Sequence, residues 1–261
     1  MVNFSFSLLS LEYYLLILVR IASFVAVAPF FGLSAVPTRV KIGLSATIAM
    51  IVFQLLPDPN FSYDGMISYG LIVLKEAATG LMIGAAANMC TYIVSFAGHI
   101  IDMQIGLSMA QQYNPMTRSQ ESITGTFYNY AVLLLLLTSN MYHYIIQAIV
   151  DSFSLVPVNG QIFQWEYLVR SMITFVTELF SIGFRIALPI FACMMAFDCV
   201  LGIMAKVAPQ MNMFAVGIQI KLLMGYGVIM ISIVLLPRAA EMIGEEMKLM
   251  MRMMVKGLYA G

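Results

Sequence analysis

LVRSMITFVTELFSIGFRIALPIFACMMAFDCVLGIMAKV, residues 168–207, runs through APQMNM at 208–213 into FAVGIQIKLLMGYGVIMISIVLL at 214–236. The stretch is almost continuously apolar, yet it carries Arg170, Glu178, Arg185, Asp198, Lys206 and Lys221. A charge at the centre of a bilayer costs about 2.5–3.5 kcal/mol even on lenient insertion scales. Six of them facing lipid at depth would cost roughly 15–20 kcal/mol. These side chains must therefore face protein, water or the membrane boundary. The hydrophobic elements are directed to a membrane but built to meet other protein.

Composition supports a membrane protein throughout. Of 261 residues, 61% are hydrophobic and 10% charged, and the mean hydropathy is +0.92. Soluble domains run at about 45–50% apolar and about 25% charged, so the chain reads as an integral membrane protein. Lys plus Arg and Asp plus Glu balance at 13 each, which points to no nucleic-acid partner and no polybasic lipid-binding tail. Cys90, Cys193 and Cys199 all lie in apolar stretches without C-x-x-C spacing and read as packing residues. His99 and His143 are too far apart in sequence to suggest a metal site. No cofactor, metal or catalytic constellation is expected.

Spanning helices need about 20 mostly apolar residues. The first candidate is 8–28. It imitates a signal peptide at Ala26-Val27-Ala28, but no Lys or Arg precedes Glu12, so it reads as a retained helix. The second, 40–56, stops at Pro57-Asp58-Pro59. The third, 65–101, is too long for one perpendicular span. A polar stretch, 102–124, follows. The fourth, 127–150, has no charged residue and is the cleanest span in the chain. The fifth, 168–205, is overlong and contains Pro189, which predicts a kink or break. The sixth, 214–236, ends at Pro237, and a Met-rich amphipathic helix follows. The positive-inside rule places the 36–41 turn in the cytoplasm and the acidic 57–64 turn outside. Six spans from there carry the tail outside, although Arg238, Lys248, Arg252 and Lys256 favour the cytoplasm. One long segment is then a re-entrant hairpin, or some helices do not span lipid.

Ala77, Gly80, Gly84 and Ala87 make one small-residue stripe, with G-x-x-x-G at its centre. It serves packing within the chain or contact with another subunit, and Gly217, Gly225 and Gly227 carry the same ambiguity. Lys75-Glu76, and Glu178 with Arg185 two turns on, read as buried ion pairs or as parts of an ion relay. Twenty-three methionines, several of them in the tail, suit surfaces that conform to partners. The loop Gly106-Leu107-Ser108-Met109-Ala110-Gln111-Gln112-Tyr113-Asn114-Pro115 mixes bulky and uncharged polar groups between hydrophobic helices. Thr117-x-x-Gln120 matches a capping box for the next helix. Such a loop closes a pore or lies at the interface.

Ala208-Pro209-Gln210-Met211-Asn212-Met213-Phe214-Ala215-Val216-Gly217-Ile218-Gln219-Ile220-Lys221 closely resembles the signature of the FliR/SctT family of type III secretion export-gate proteins. Pro29-Phe30-Phe31-Gly32, with Val36-Pro37-Thr38-Arg39-Val40-Lys41, looks like that family's first turn. Gly106-Leu107-Ser108-Met109-Ala110 and Tyr113-Asn114-Pro115 look like its central loop. The resemblance implies an all-α membrane protein with a FliP-like part over 1–165 and a FliQ-like hairpin with a Met-rich tail over 166–261. It implies one copy of this chain in a helical hetero-oligomer with FliP-like and FliQ-like subunits, working with FlhA-like and FlhB-like components on unfolded substrates. The assembly would sit in the bacterial inner membrane at the flagellar basal body, raised toward the periplasm and in contact with lipid. Gly106 through Tyr113 would plug the pore, with Tyr113 the only aromatic there. Pro209, Gln210, Asn212, Gly217 and Lys221 would sit at or beside the hairpin turn, Gly80 and Gly84 would pack helices, and Glu178, Arg185 and Asp198 would be buried charges. A flagellar system fits better than an injectisome. The rival readings are a solute transporter of the inner membrane and a structural assembly factor with no pore role.

Overall fold

Long apolar runs leave the backbone one way to satisfy its own hydrogen bonds without water, and that is the helix. The computed structural model describes residues 8–57, 63, 65–110, 112–114, 119–207 and 213–259. Among the described residues the chain forms α1 (Leu8–Val27), α2 (Thr38–Leu55), α3 (Gly65–Met89), α4 (Tyr92–Ile105) and α5 (Ile123–Thr138). It continues as α6 (Met141–Leu155), α7 (Trp165–Val207), α8 (Met213–Ser232) and α9 (Leu236–Gly257). A short ribbon of β1 (Gln112–Asn114) and β2 (Ser119–Glu121) is the only sheet described. The fold is an all-α membrane architecture.

Several boundaries differ from the sequence expectation, each for a local reason. The run at 127–150 is two helices. Thr138 Oγ1 and Ser139 Oγ donate to the Leu135 carbonyl at 2.9 Å each, competing with the helical ladder. Asn140 then adopts φ 58°, a left-handed conformation that Asn tolerates better than most residues. The run from 65 turns at Cys90-Thr91 and restarts as α4. At Pro189 no break occurs, because α7 continues through it to Val207. Pro237 does not end a helix. It occupies the first turn of α9, where a missing N–H costs nothing. Among the described residues, five helices or helix pairs are long and apolar enough to cross a membrane, or six if α5 and α6 count as one broken span.

The chain divides into two compact units. The first combines residues 1–89, 140–175 and 246–261. Its centre is α1 against α3, with Leu16, Ile17, Ile21 and Phe24 from α1 and Ile83, Ala86 and Ala87 from α3 all buried. Gly80 and Gly84 make that approach possible. A Cβ on Gly80 would collide with the Arg20 carbonyl and Ser23 Oγ, and one on Gly84 would lie 2.9 Å from the Phe24 carbonyl. The small-residue stripe therefore serves packing within the chain. On α2, Ser45, Ile48, Ala49 and Val52 are buried, a helical i, i+3, i+4, i+7 face.

The second unit combines residues 90–139 and 176–245. Here α4 and α5 touch backbone to backbone, since a Cβ on Gly98 would run into the Cα and N of Gly125. Neither main chain has room to yield. Gly98→Ala should lower stability by about 1–3 kcal/mol, the scale of overpacking a tight core, read as the unfolding midpoint of the detergent-solubilised protein.

Candidate functional site

The central loop is held at its base by one side chain. Asp102 lies in the last turn of α4 and is fully buried. Its backbone carbonyl accepts from Gly106 N at 3.0 Å, and Gly106 ends α4 at φ 94°, a left-handed cap that suits glycine. Its carboxylate accepts from Ser122 Oγ at 2.7 Å, Ile123 N at 2.7 Å and Thr124 N at 3.2 Å. The last two are the first free amides of α5, so a full negative charge meets the positive end of that helix. Ser122 is the N-cap and accepts from Gly125 N at 2.8 Å. One residue thus secures both the entry to the loop and the exit from it.

Between these anchors the chain forms a tight 3-10 turn over Leu107–Ala110. Leu107 is buried and Ser108 half-buried, while Met109 and Ala110 complete the turn. Gln111 lies outside the described residues. Gln112 and Tyr113 belong to β1, which pairs antiparallel with β2: Gln112 faces Glu121, Tyr113 faces Gln120 and Asn114 faces Ser119. The loop is therefore a pinned ribbon. The expected capping box is displaced. Thr117 lies outside the described residues, Gln120 is in a strand, and Ser122 performs the capping.

The signature segment is only partly visible. Pro209, Gln210 and Asn212 lie outside the described residues, so the turn they were expected to form is not seen. Gly217 is buried and faces Leu201. Lys221 Nζ lies 2.8 Å from Asp198 Oδ1, and Gln104 Nε2 donates to Asp198 Oδ2 at 3.3 Å. At the first turn, Phe30 takes φ 69° and Lys41 Nζ donates to the Gly32 carbonyl at 3.0 Å.

The deeply buried charges are not the expected ones. Within this chain Glu178 and Asp198 are half-buried and Arg185 is exposed. Among the described residues, Glu178 and Arg185 form no ion pair. Glu76 pairs with Arg20, not with its neighbour Lys75. Arg20 Nε sits 2.5 Å from Glu76 Oε2, and both side chains are fully buried. Glu76 Oε1 also accepts from Asn159 N at 3.0 Å and from Gln161 Nε2 at 2.6 Å. Arg20 Nη1 donates to the Val156 carbonyl at 2.8 Å and its guanidinium lies 4.1 Å from the Phe153 ring centroid. Sequence inspection placed Glu76 in a buried ion pair but missed Arg20 as its partner, and it missed Asp102. Charges this isolated inside α1, α3 and α4 were the available signal.

Tyr63, beyond the end of α2, donates to Glu12 Oε2 at 2.7 Å. That hydrogen bond, first among several effects, holds its hydroxyl above the usual phenol range. Of the cysteines, Cys90 is buried but Cys193 and Cys199 are exposed on α7. Among the described residues no group of three or more His, Cys, Asp or Glu is placed to hold a metal.

The sequence matches the family model described as bacterial export proteins, family 1, over residues 11–247. The flagellar biosynthetic protein FliR of Bacillus subtilis (strain 168) is 32% identical over 215 residues, covering 82% of this chain and 83% of that protein. The protein of the same name from Buchnera aphidicola subsp. Acyrthosiphon pisum is 29% identical over 211 residues, 80% of each chain. That from Escherichia coli (strain K12) is 27% identical over 215 residues, 80% of this chain and 79% of its own.

Proposed function

The chain belongs to the family of bacterial export proteins, family 1, and we propose that it is a core subunit of the flagellar protein-export gate. It is a flagellar biosynthetic membrane protein of the FliR type that works with other components of the export apparatus. In our reading one copy joins FliP-like and FliQ-like subunits in the inner membrane, beside FlhA-like and FlhB-like components. Residues 1–165 form the FliP-like part and 166–261 the FliQ-like hairpin. Unfolded substrates pass through the resulting pore, which is closed at rest by loop 106–113. The subunit gates passively and carries no catalysis.

The observation that carries this reading is the outer face of α7. Val169, Ile173, Val176, Phe180, Phe184, Leu188, Phe191 and Met195 are all exposed in the isolated chain, one continuous helical stripe. Val200, Ile203, Met204 and Val207 are exposed too, so apolar surface extends over most of a 43-residue helix. At about 1.5 Å per residue that is roughly 55–60 Å, against a hydrocarbon core of about 30 Å. Lipid alone does not cover an upright helix of that length, and neighbouring subunits do. The paired strands 112–114 and 119–121 and the Asp102 anchor support a plug, because a loop fixed at its base holds one closed position.

Two measurements test this. Purification in mild detergent followed by mass measurement should recover the chain only within a larger particle. A stable, well-folded monomer counts against the gate. Deleting residues 107–113 should make the resting assembly leak ions or small molecules. An unchanged leak rate eliminates the plug role.

A further inference from the structure

We propose that Arg185 and Arg238 together bind the phosphate of an anionic phospholipid. A cavity of about 250 Å³ in the second unit is lined by Tyr128, Arg185, Pro189, Ser232, Arg238 and Met242, among other apolar residues. Arg185 and Arg238, both partly open to solvent, line it, and no Asp or Glu does. Among the described residues neither arginine makes an ion pair or a hydrogen bond. Like charges brought to one cavity without a counter-ion repel each other, and an anion between them reverses the sign of that interaction.

The remaining polar atoms leave that task to the arginines. Tyr128 donates to Ser232 Oγ at 2.7 Å, and Ser232 donates in turn to the Ile229 carbonyl at 2.7 Å. Both hydroxyl protons are therefore committed within the wall. The free donors are the two planar guanidiniums, whose fork matches phosphate oxygens.

Position identifies the source of the phosphate. From Arg185 the helix α7 continues to Val207, and α8 with its following turn covers 213–235 before Arg238. Each of these segments, 186–207 and 213–235, is roughly 33–35 Å long at about 1.5 Å per residue, close to the thickness of a bilayer core. The internal charges Asp198 and Lys221 neutralise each other between them. Arg185 and Arg238 thus mark the same edge of one apolar layer, which is where headgroups lie and where basic pockets between helices take anionic lipid. The cavity is smaller than the roughly 300–1,000 Å³ of small-molecule pockets. It suits a headgroup, with the acyl chains lying along the exposed apolar side chains of Ile233, Val234 and Leu235, away from the α7 stripe.

The full chain, with whatever subunits accompany it in mild detergent, is loaded with phosphatidylglycerol or phosphatidylcholine and weighed by native mass spectrometry. The unsubstituted protein should retain phosphatidylglycerol in preference to phosphatidylcholine. Arg185→Gln with Arg238→Gln should weaken phosphatidylglycerol retention about thirtyfold, or about 2 kcal/mol at 1.4 kcal/mol per tenfold. The pair Arg185→Lys and Arg238→Lys should keep most of it, which separates charge from fold. Equal retention of both lipids by the unsubstituted protein overturns the proposal. So does inorganic phosphate competing as well as the lipid does, or a carboxylate of an accompanying subunit seated between the two arginines in the assembled particle.

Discussion

Glu76→Ala should lower the unfolding free energy by about 3–5 kcal/mol, the cost of stranding one member of a buried ion pair. Arg20 would be left fully buried with only the Val156 carbonyl and the Phe153 ring as partners. Asn159 N and Gln161 Nε2 would lose their acceptor as well. The damage should extend beyond α1 and α3, because Val156, Asn159 and Gln161 belong to the segment after α6. Limited proteolysis near residues 156–161 should therefore accelerate along with the fall in midpoint. The control is Arg20→Met with Glu76→Leu. Apolar replacements of similar volume are often neutral for a buried pair, so this double variant should regain most of the loss. If it proves as unstable as Glu76→Ala, the pair is required for more than charge compensation.

Asp102→Ala should cost about 3–5 kcal/mol, the scale of removing one partner from a buried charged interaction, because three donors lose their common acceptor. Ser122 Oγ and the amides of Ile123 and Thr124 would lose that acceptor at the start of α5. Asp102→Asn retains the shape and one acceptor oxygen, and should lose about half as much. Hydrogen exchange separates this mechanism from general destabilisation: the Ile123 and Thr124 amides should lose protection before the middle of α5 does. Uniform loss along α5 would refute the anchor. If loop 106–113 is the plug, the same variant should raise the resting leak, though less than the deletion.

What was legible in the sequence was local. The small stripe at Ala77, Gly80, Gly84 and Ala87 is a helical repeat, and α1 packs on it as the spacing allows. The tail from 238 reads as an amphipathic, Met-rich helix, and α9 forms there. The buried charges were not legible, because their partners are distant. Arg20 and Glu76 are 56 positions apart, and Asp102 is 20 from Ser122. Spacing rules see only neighbours one turn away. Helix breaks failed for another reason. Residues 127–150 are predominantly apolar on both sides of the polar run Thr138-Ser139-Asn140, which is uncharged and too brief to interrupt a span-length hydropathy window. Proline acts by its position within the helix: α7 continues through Pro189, and Pro237 is favourable in the first turn of α9. Ser122 lies beyond the expected capping box and is fixed as the cap by Gly125 N and the distant Asp102 carboxylate.

The composition of the first unit also constrains biogenesis. Its floor is laid by residues 1–89, yet Met247, Met250 and Met254 are buried in it, and Ile162 N and Gln164 N bond to the carbonyls of Leu258 and Gly257 at 3.1 and 3.0 Å. A ribosome delivers those residues long after α1 and α3 have entered the bilayer. The early helices must then wait, incomplete, while residues 90–245 are made, so this unit closes only after the second unit has been synthesised.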